Sequence, residues 1–113
     1  MGKVNYVYGG MSVELSRQIE VCELLDYYEN LLTDVQRETM RSYYSYDNSL
    51  NEIAIEQGVT KQGVKANLSA ALRKLDLYEC NLHLVQKMKK YHELRNEISD
   101  LEVLKKLDEI FEE

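Results

Sequence analysis

The sequence has no proline and no tryptophan, a single phenylalanine, two histidines and two cysteines. Proline removes a backbone donor and clashes with the preceding helical turn, so its absence suits a chain of uninterrupted helices. No apolar run approaches the roughly 18 residues that would cross a bilayer. The N-terminus lacks the apolar stretch of a secretory signal, so a cytoplasmic protein is expected. Tyr6 stands where a myristoylation signal beginning at Gly2 would carry Ser or Thr. Cys22 and Cys80 lie far apart with no CxxC pair, and both are expected to be buried, unreactive thiols. His83 and His92 would lie about half a turn out of phase on one helix, too far round to share a metal. Glycine-rich phosphate loops, a nucleophile elbow and histidines clustered with carboxylates are all missing, so neither an enzyme nor a cofactor is expected.

What is present is helical periodicity. From about Val13 to Leu32, the residues Leu15, Ile19, Cys22, Leu25, Tyr28 and Leu32 recur at three- and four-residue steps, a one-sided helix stripe. Thr33 with Gln36 three residues on forms a capping-box signature for a second helix to about Tyr44, burying Val35, Met40 and one of Tyr43 or Tyr44. Ser45-Tyr46-Asp47-Asn48 is rich in turn formers. Ser49 with Glu52 starts a short third helix whose inner face carries Leu50, Ile53 and Ala54. Gly58 sits where that helix must stop and turn, Val59 plugs the turn, and Thr60 caps the next helix. That helix is expected to be long, with Val64, Leu68, Ala71 and Leu75 on one stripe and Leu82 and Val85 extending it toward Asn96. A last helix from about Asp100, its N-cap, to Phe111 carries Leu101, Leu104, Leu107, Ile110 and Phe111. The expected fold is therefore all-α: a leader over residues 1–12, a helix-turn-helix bundle over 13–95 and a C-terminal docking or dimerisation helix over 96–113.

Two capped helices joined by a glycine turn, Ser49 to Leu75, make a helix-turn-helix, in which the second helix presents its outer face to the DNA major groove. With Val64 inward and about 100° per residue, Gln62, Lys65, Ala66, Ser69 and Arg73 fall on that outer face. Gln62 can pair with adenine, and Lys65 and Ser69 can reach bases or phosphates. Thr60, Lys61, Arg73 and Lys74 suit backbone phosphates. The net charge of −6 runs against nucleic-acid binding, but residues 50–75 carry two acids and four bases, the one interior segment with a positive balance.

The stretch Leu31-Leu32-Thr33, Tyr43-Tyr44, Ser49-Leu50, Glu52-Ile53-Ala54 and Gly58-Val59-Thr60-Lys61-Gln62 before Val64 resembles the YlxM-type proteins. These are small bacterial proteins with a helix-turn-helix like the fourth region of sigma factors. The resemblance covers roughly residues 15–90. It implies a regulatory role linked to the signal recognition particle, because the family's genes neighbour the gene for that particle's GTPase. Its protein or RNA is then a partner alongside DNA. The chain has Thr60-Lys61-Gln62-Gly63 where the family usually has Ser-Arg-Gln-Ala, and Lys65-Ala66 where a Tyr-Asp pair is expected.

Two alternatives stay open from sequence. The bundle binds nucleic acid through residues 60–74, or it docks on the signal recognition particle with the motif kept as a scaffold. The nine tyrosines fit the core and rim of a bundle better than stacking on bases. Lys87, Lys89 and Lys90 fit a solvated face better than a phosphate site. The C-terminal stripe either folds back or packs on a second copy, and a homodimer is the expectation.

Overall fold

The computed structural model describes residues 13–112, so the leader expected over 1–12 lies outside the described residues. Six helices form: α1 (Val13–Tyr28), α2 (Asp34–Met40), α3 (Leu50–Gln57), α4 (Lys61–Leu82), α5 (Leu84–Asn96) and α6 (Leu101–Ile110). A 3₁₀ turn, Glu29–Leu31, follows α1, and a π-helical turn, Arg41–Ser45, follows α2. There is no strand among the described residues, and the fold is all-α as expected. The chain divides into two compact units, one ending at Leu82 and the other starting at His83.

Local chemistry sets the helix ends of the first unit. The Gln36 backbone N–H donates to Thr33 Oγ1 and the Thr33 N–H to Gln36 Oε1, both at 3.2 Å. Ser49 and Glu52 repeat the exchange at 3.1 and 2.9 Å. The Ser49 contacts also hold the Glu52 carboxyl below its ordinary pKa, chiefly through the backbone hydrogen bond. Gly58 ends α3 in the left-handed region, at φ +67° and ψ +33°. A Cβ there would meet nothing within 4 Å, so its cost would be purely one of backbone conformation. Gly58→Ala should therefore cost about 1–2 kcal/mol in urea unfolding, with an unchanged m-value. A loss below a few tenths would mean that the turn tolerates another conformation.

In the first unit α4 is the hub, packing against α1, α2 and α3. Its Val64, Leu68, Ala71 and Leu75 are buried, as are Val21, Leu24, Leu25 and Tyr28 of α1, Met40 of α2 and Ile53 and Ala54 of α3. Three polar contacts join α1 and the 3₁₀ turn to the far half of α4. Arg17 pairs with Asp76 at 3.2 Å, the Tyr28 hydroxyl donates to Glu79 at 2.6 Å, and that of Tyr78 donates to the Leu31 carbonyl at 3.2 Å. Several sequence expectations are corrected. Leu25, Tyr28 and Leu32 of the α1 stripe are buried, but Leu15 and Ile19 are about 40% exposed, and Val21 and Leu24 share the core face instead. Val35 lies on the outer side of α2, where Thr39 and Met40 are the buried positions. Val59 is 45% exposed rather than buried in the turn. Cys80 is exposed and Cys22 only half-buried, its Sγ lying 3.5 Å from the Tyr44 carbonyl.

The expected second helix changes character at Arg41, where the π turn begins. The Tyr46 N–H donates to the Arg41 carbonyl, five residues back, at 3.0 Å. Widening the turn brings side chains onto its carbonyls: Gln18 Nε2 donates to the Tyr44 carbonyl at 3.0 Å. The Arg41 guanidinium grips Glu29 through two bonds, at 3.0 and 2.9 Å, and reaches Asp26 at 3.1 Å. The Arg41 hydrogen bond is the main reason the Glu29 carboxyl is held below its ordinary pKa. A depressed folded-state pKa adds stability above the unfolded value and loses it as pH falls through the folded value. Glu29→Gln should thus be less stable than wild type at neutral pH and approach it as pH drops below about 4. Urea unfolding between pH 3 and 7 checks this, and parallel wild-type and variant curves would discount the pair.

The expectation of one helix running past Leu82 is corrected. His83 takes φ +55° and ψ +28°, ending α4 and starting α5. Histidine is among the non-glycine residues enriched in this region, and no glycine or proline marks the break. The second unit is an antiparallel hairpin. Arg95 binds Asp108 through two bonds, at 3.1 and 3.0 Å. Tyr91 and Phe111 meet edge to face with ring centroids 5.0 Å apart. Asp100 caps α6 as expected, accepting from the Glu102 and Val103 N–H groups.

Candidate nucleic-acid interface

The helix-turn-helix consists of α3, the turn through Gly58, and the first four turns of α4. Thr60 Oγ1 accepts the Gly63 N–H at 3.0 Å, so its hydroxyl caps α4. With Val64, Leu68, Ala71 and Leu75 buried, the 100° step turns Gln62, Ser69 and Arg73 directly outward, with Lys65 to one side. Thr60, Lys61, Gln62, Lys65, Ser69 and Arg73 are all exposed, together with Ala66. From Lys61 to Arg73 the face runs about 18 Å along the helix axis. A helix of ordinary diameter fits the major groove, which is about 12 Å wide.

Lys74 departs from this group. It is half-buried, and its Nζ donates to Gln36 Oε1 at 2.9 Å, the oxygen that also closes the α2 capping box. Its ammonium therefore ties α4 to the start of α2.

Electrostatics separate the remaining cations from the rest of the unit. Arg17 is paired with Glu20 and Asp76, Arg37 with Asp34, and Arg41 with Asp26 and Glu29. Among the described residues Lys61, Lys65 and Arg73 form no ion pair or hydrogen bond through their side chains. No acid occurs between Glu56 and Asp76. This acid-free window was a stronger sequence signal than the net balance of residues 50–75. A cleft over α2 and the π turn, lined by Glu29, Asp34, Arg37, Glu38, Arg41 and Glu56, offers no comparable free cation, because its arginines are held by carboxylates. Among the described residues no group of three or more His, Cys, Asp or Glu could hold a metal ion. No helix among them is long and apolar enough to cross a membrane.

Residues 15–113 match the family UPF0122, described as "Putative helix-turn-helix protein, YlxM / p13 like". The chain belongs to this family. A UPF0122 protein of Geobacillus sp. (strain WCH70) is 39% identical over 95 residues, covering 84% of this chain and 86% of the relative. The UPF0122 protein YlxM of Bacillus subtilis (strain 168) is 36% identical over 91 residues, 80% of this chain and 81% of the relative. A UPF0122 protein of Halalkalibacterium halodurans is 36% identical over 86 residues, 76% and 79% of the two chains. No solved structure matches. The resemblance to the YlxM-type proteins, drawn from residues 31–64, is thus borne out, and the family's description is that of a helix-turn-helix protein.

Proposed function

We propose that the protein is a DNA-binding regulator that lays the N-terminal half of α4 in the major groove. The observation that carries this reading is that Lys61, Lys65 and Arg73 are exposed and unpaired along the second helix of a helix-turn-helix, Arg73 directly outward, Lys65 to one side and Lys61 in the first turn, while Arg17, Arg37 and Arg41 are each bound to acids. In this reading these three cations contact phosphates, and Gln62 and Ser69 reach base edges. Thr60 keeps its capping role and Lys74 its bond to Gln36.

The test is anisotropy of labelled duplex DNA of about 20 base pairs, titrated with protein across a range of salt. Three phosphate contacts predict a log K against log salt slope of about −2.7 on B-DNA. Salt-independent association, or none at low salt, would reject the reading.

A second reading draws on α3. Ile55 is 82% exposed there, with Glu52 and Glu56 also exposed on the same short helix. An apolar and acidic surface suits a protein partner better than phosphates, and the signal recognition particle GTPase is the one that the family resemblance implies. Binding to that GTPase by Arg73→Ala at wild-type affinity, with DNA binding absent, would favour this reading.

A further inference from the structure

The buried residues Val64, Leu68, Ala71 and Leu75 define the inward direction of α4. Counted from their mean at 100° per residue, Ala66 and Arg73 point within about 10° of directly outward and Gln62 within about 30°. Ala66 is exposed. It is therefore an apolar point on the crest of the outward face, one turn after Gln62 and about 6 Å further along the helix axis. Arg73 lies about 10 Å beyond it.

A recognition helix brings its N-terminal residues to the base edges, and Gln62 and Ala66 fall in the first two turns of α4. The side chain of Ala66 ends at Cβ and can neither donate nor accept a hydrogen bond. Laid over a polar base atom, it would take that atom from water and return nothing, which is costly. In the major groove guanine, adenine and cytosine present N7, O6, N6 and N4, all polar, whereas thymine also presents its C5-methyl. That methyl is the group on which an alanine Cβ can pack. The residues beside Ala66 on the crest, Ser69 and Ala70, are short, and Lys65 is turned to one side. No long side chain next to Ala66 holds its Cβ away from the groove floor.

We infer that Ala66 adds a preference for thymine to the α4 interface, its Cβ packing on the C5-methyl of that base. The thymine lies about two base steps from the edge met by Gln62, since the bases of one strand rise about 3.4 Å apart. This contact rests on the DNA-binding reading of α4, and it is separate from the phosphate contacts because it involves no charge.

The experiment compares a labelled duplex of alternating A·T pairs with the same duplex carrying uracil in place of thymine. Uracil lacks the methyl and keeps every hydrogen-bonding group. The full chain, as wild type and as Ala66→Gly, is titrated into each at low salt, with circular dichroism of both proteins. Burying one methyl corresponds to roughly a fourfold change in affinity, so wild type should bind the thymine duplex tighter by about that factor. Ala66→Gly should bind both duplexes alike, near the wild-type affinity for uracil, with an unchanged salt slope because no charge is altered. Equal wild-type affinity for the two duplexes overturns the inference and leaves DNA binding by α4 standing. So does a glycine variant that weakens on both and keeps the preference, since another side chain then meets the methyl. Should Ala66→Gly lose helicity, Ala66→Ser, which sets a hydroxyl against the methyl, takes its place with the same expectation. If neither duplex is bound in a salt-dependent way, the α4 interface itself falls and the thymine contact with it.

Discussion

Leu75→Ala is expected to lower the free energy of unfolding by about 2–5 kcal/mol. Leu75 is completely buried on the helix against which α1, α2 and α3 all pack. Removing three carbons forfeits their transfer energy and leaves a cavity whose cost depends on how far the walls can close. Here the walls are pinned. Arg17–Asp76, Tyr28–Glu79 and Tyr78–Leu31 tie α1 and the 3₁₀ turn to α4 within four residues of Leu75. Collapse would have to stretch those bonds, which places the expected loss in the upper half of the range. Urea unfolding at neutral pH reads it, with a fall in melting temperature of at least about 8 °C. A loss below 1 kcal/mol, on the order of an exposed site, would show that the inner face of α4 is not the core of the unit.

The triple substitution Lys61→Ala, Lys65→Ala, Arg73→Ala should leave that stability nearly unchanged and remove most of the DNA affinity. The three side chains are exposed and unpaired, so the folded unit loses no contact with them. On DNA each phosphate contact contributes about 0.9 to the salt slope, so the slope should flatten by between two and three. Affinity at low salt should fall at least tenfold. Lys74→Ala is the contrast: its bond to Gln36 predicts a stability loss of about 1 kcal/mol and an unaltered salt slope. A triple variant that binds DNA with the wild-type slope would remove α4 as the interface, whatever the protein binds.

Features that depend on neighbours in the chain were legible in the sequence. Thr33 with Gln36, Ser49 with Glu52, Gly58 and Asp100 each act over two to five residues, and each forms the expected cap or turn. The outward face of α4 was legible for the same reason, because the phase of one helix follows from Val64 and the 100° step. Features set by packing were not. In α1 apolar residues occupy more than one side, so periodicity alone could not choose Val21 and Leu24 over Leu15 and Ile19; α4 makes that choice. The π turn at Arg41 comes with contacts far apart in sequence, Gln18 and Cys22 of α1 meeting the Tyr44 carbonyl. The break at His83 carries no glycine or proline, and the apolar spacing of Leu82 and Val85 ran straight through it. Lys74 looked like its basic neighbours because its partner Gln36 lies on another helix.

Helix α4 has one side that holds the unit together and another that meets the outside, and the two share no residue. Val64, Leu68, Ala71 and Leu75 constrain the fold, while Gln62, Lys65, Ser69 and Arg73 are exposed and form no hydrogen bond or ion pair through their side chains. Substitutions on the second set can accumulate without selection for foldability opposing them. On the proposed DNA-binding reading, a change of target preference would then need no change in the bundle. Chimaeras that exchange only positions 62, 65, 69 and 73 between relatives should fold alike and carry their binding preference with them.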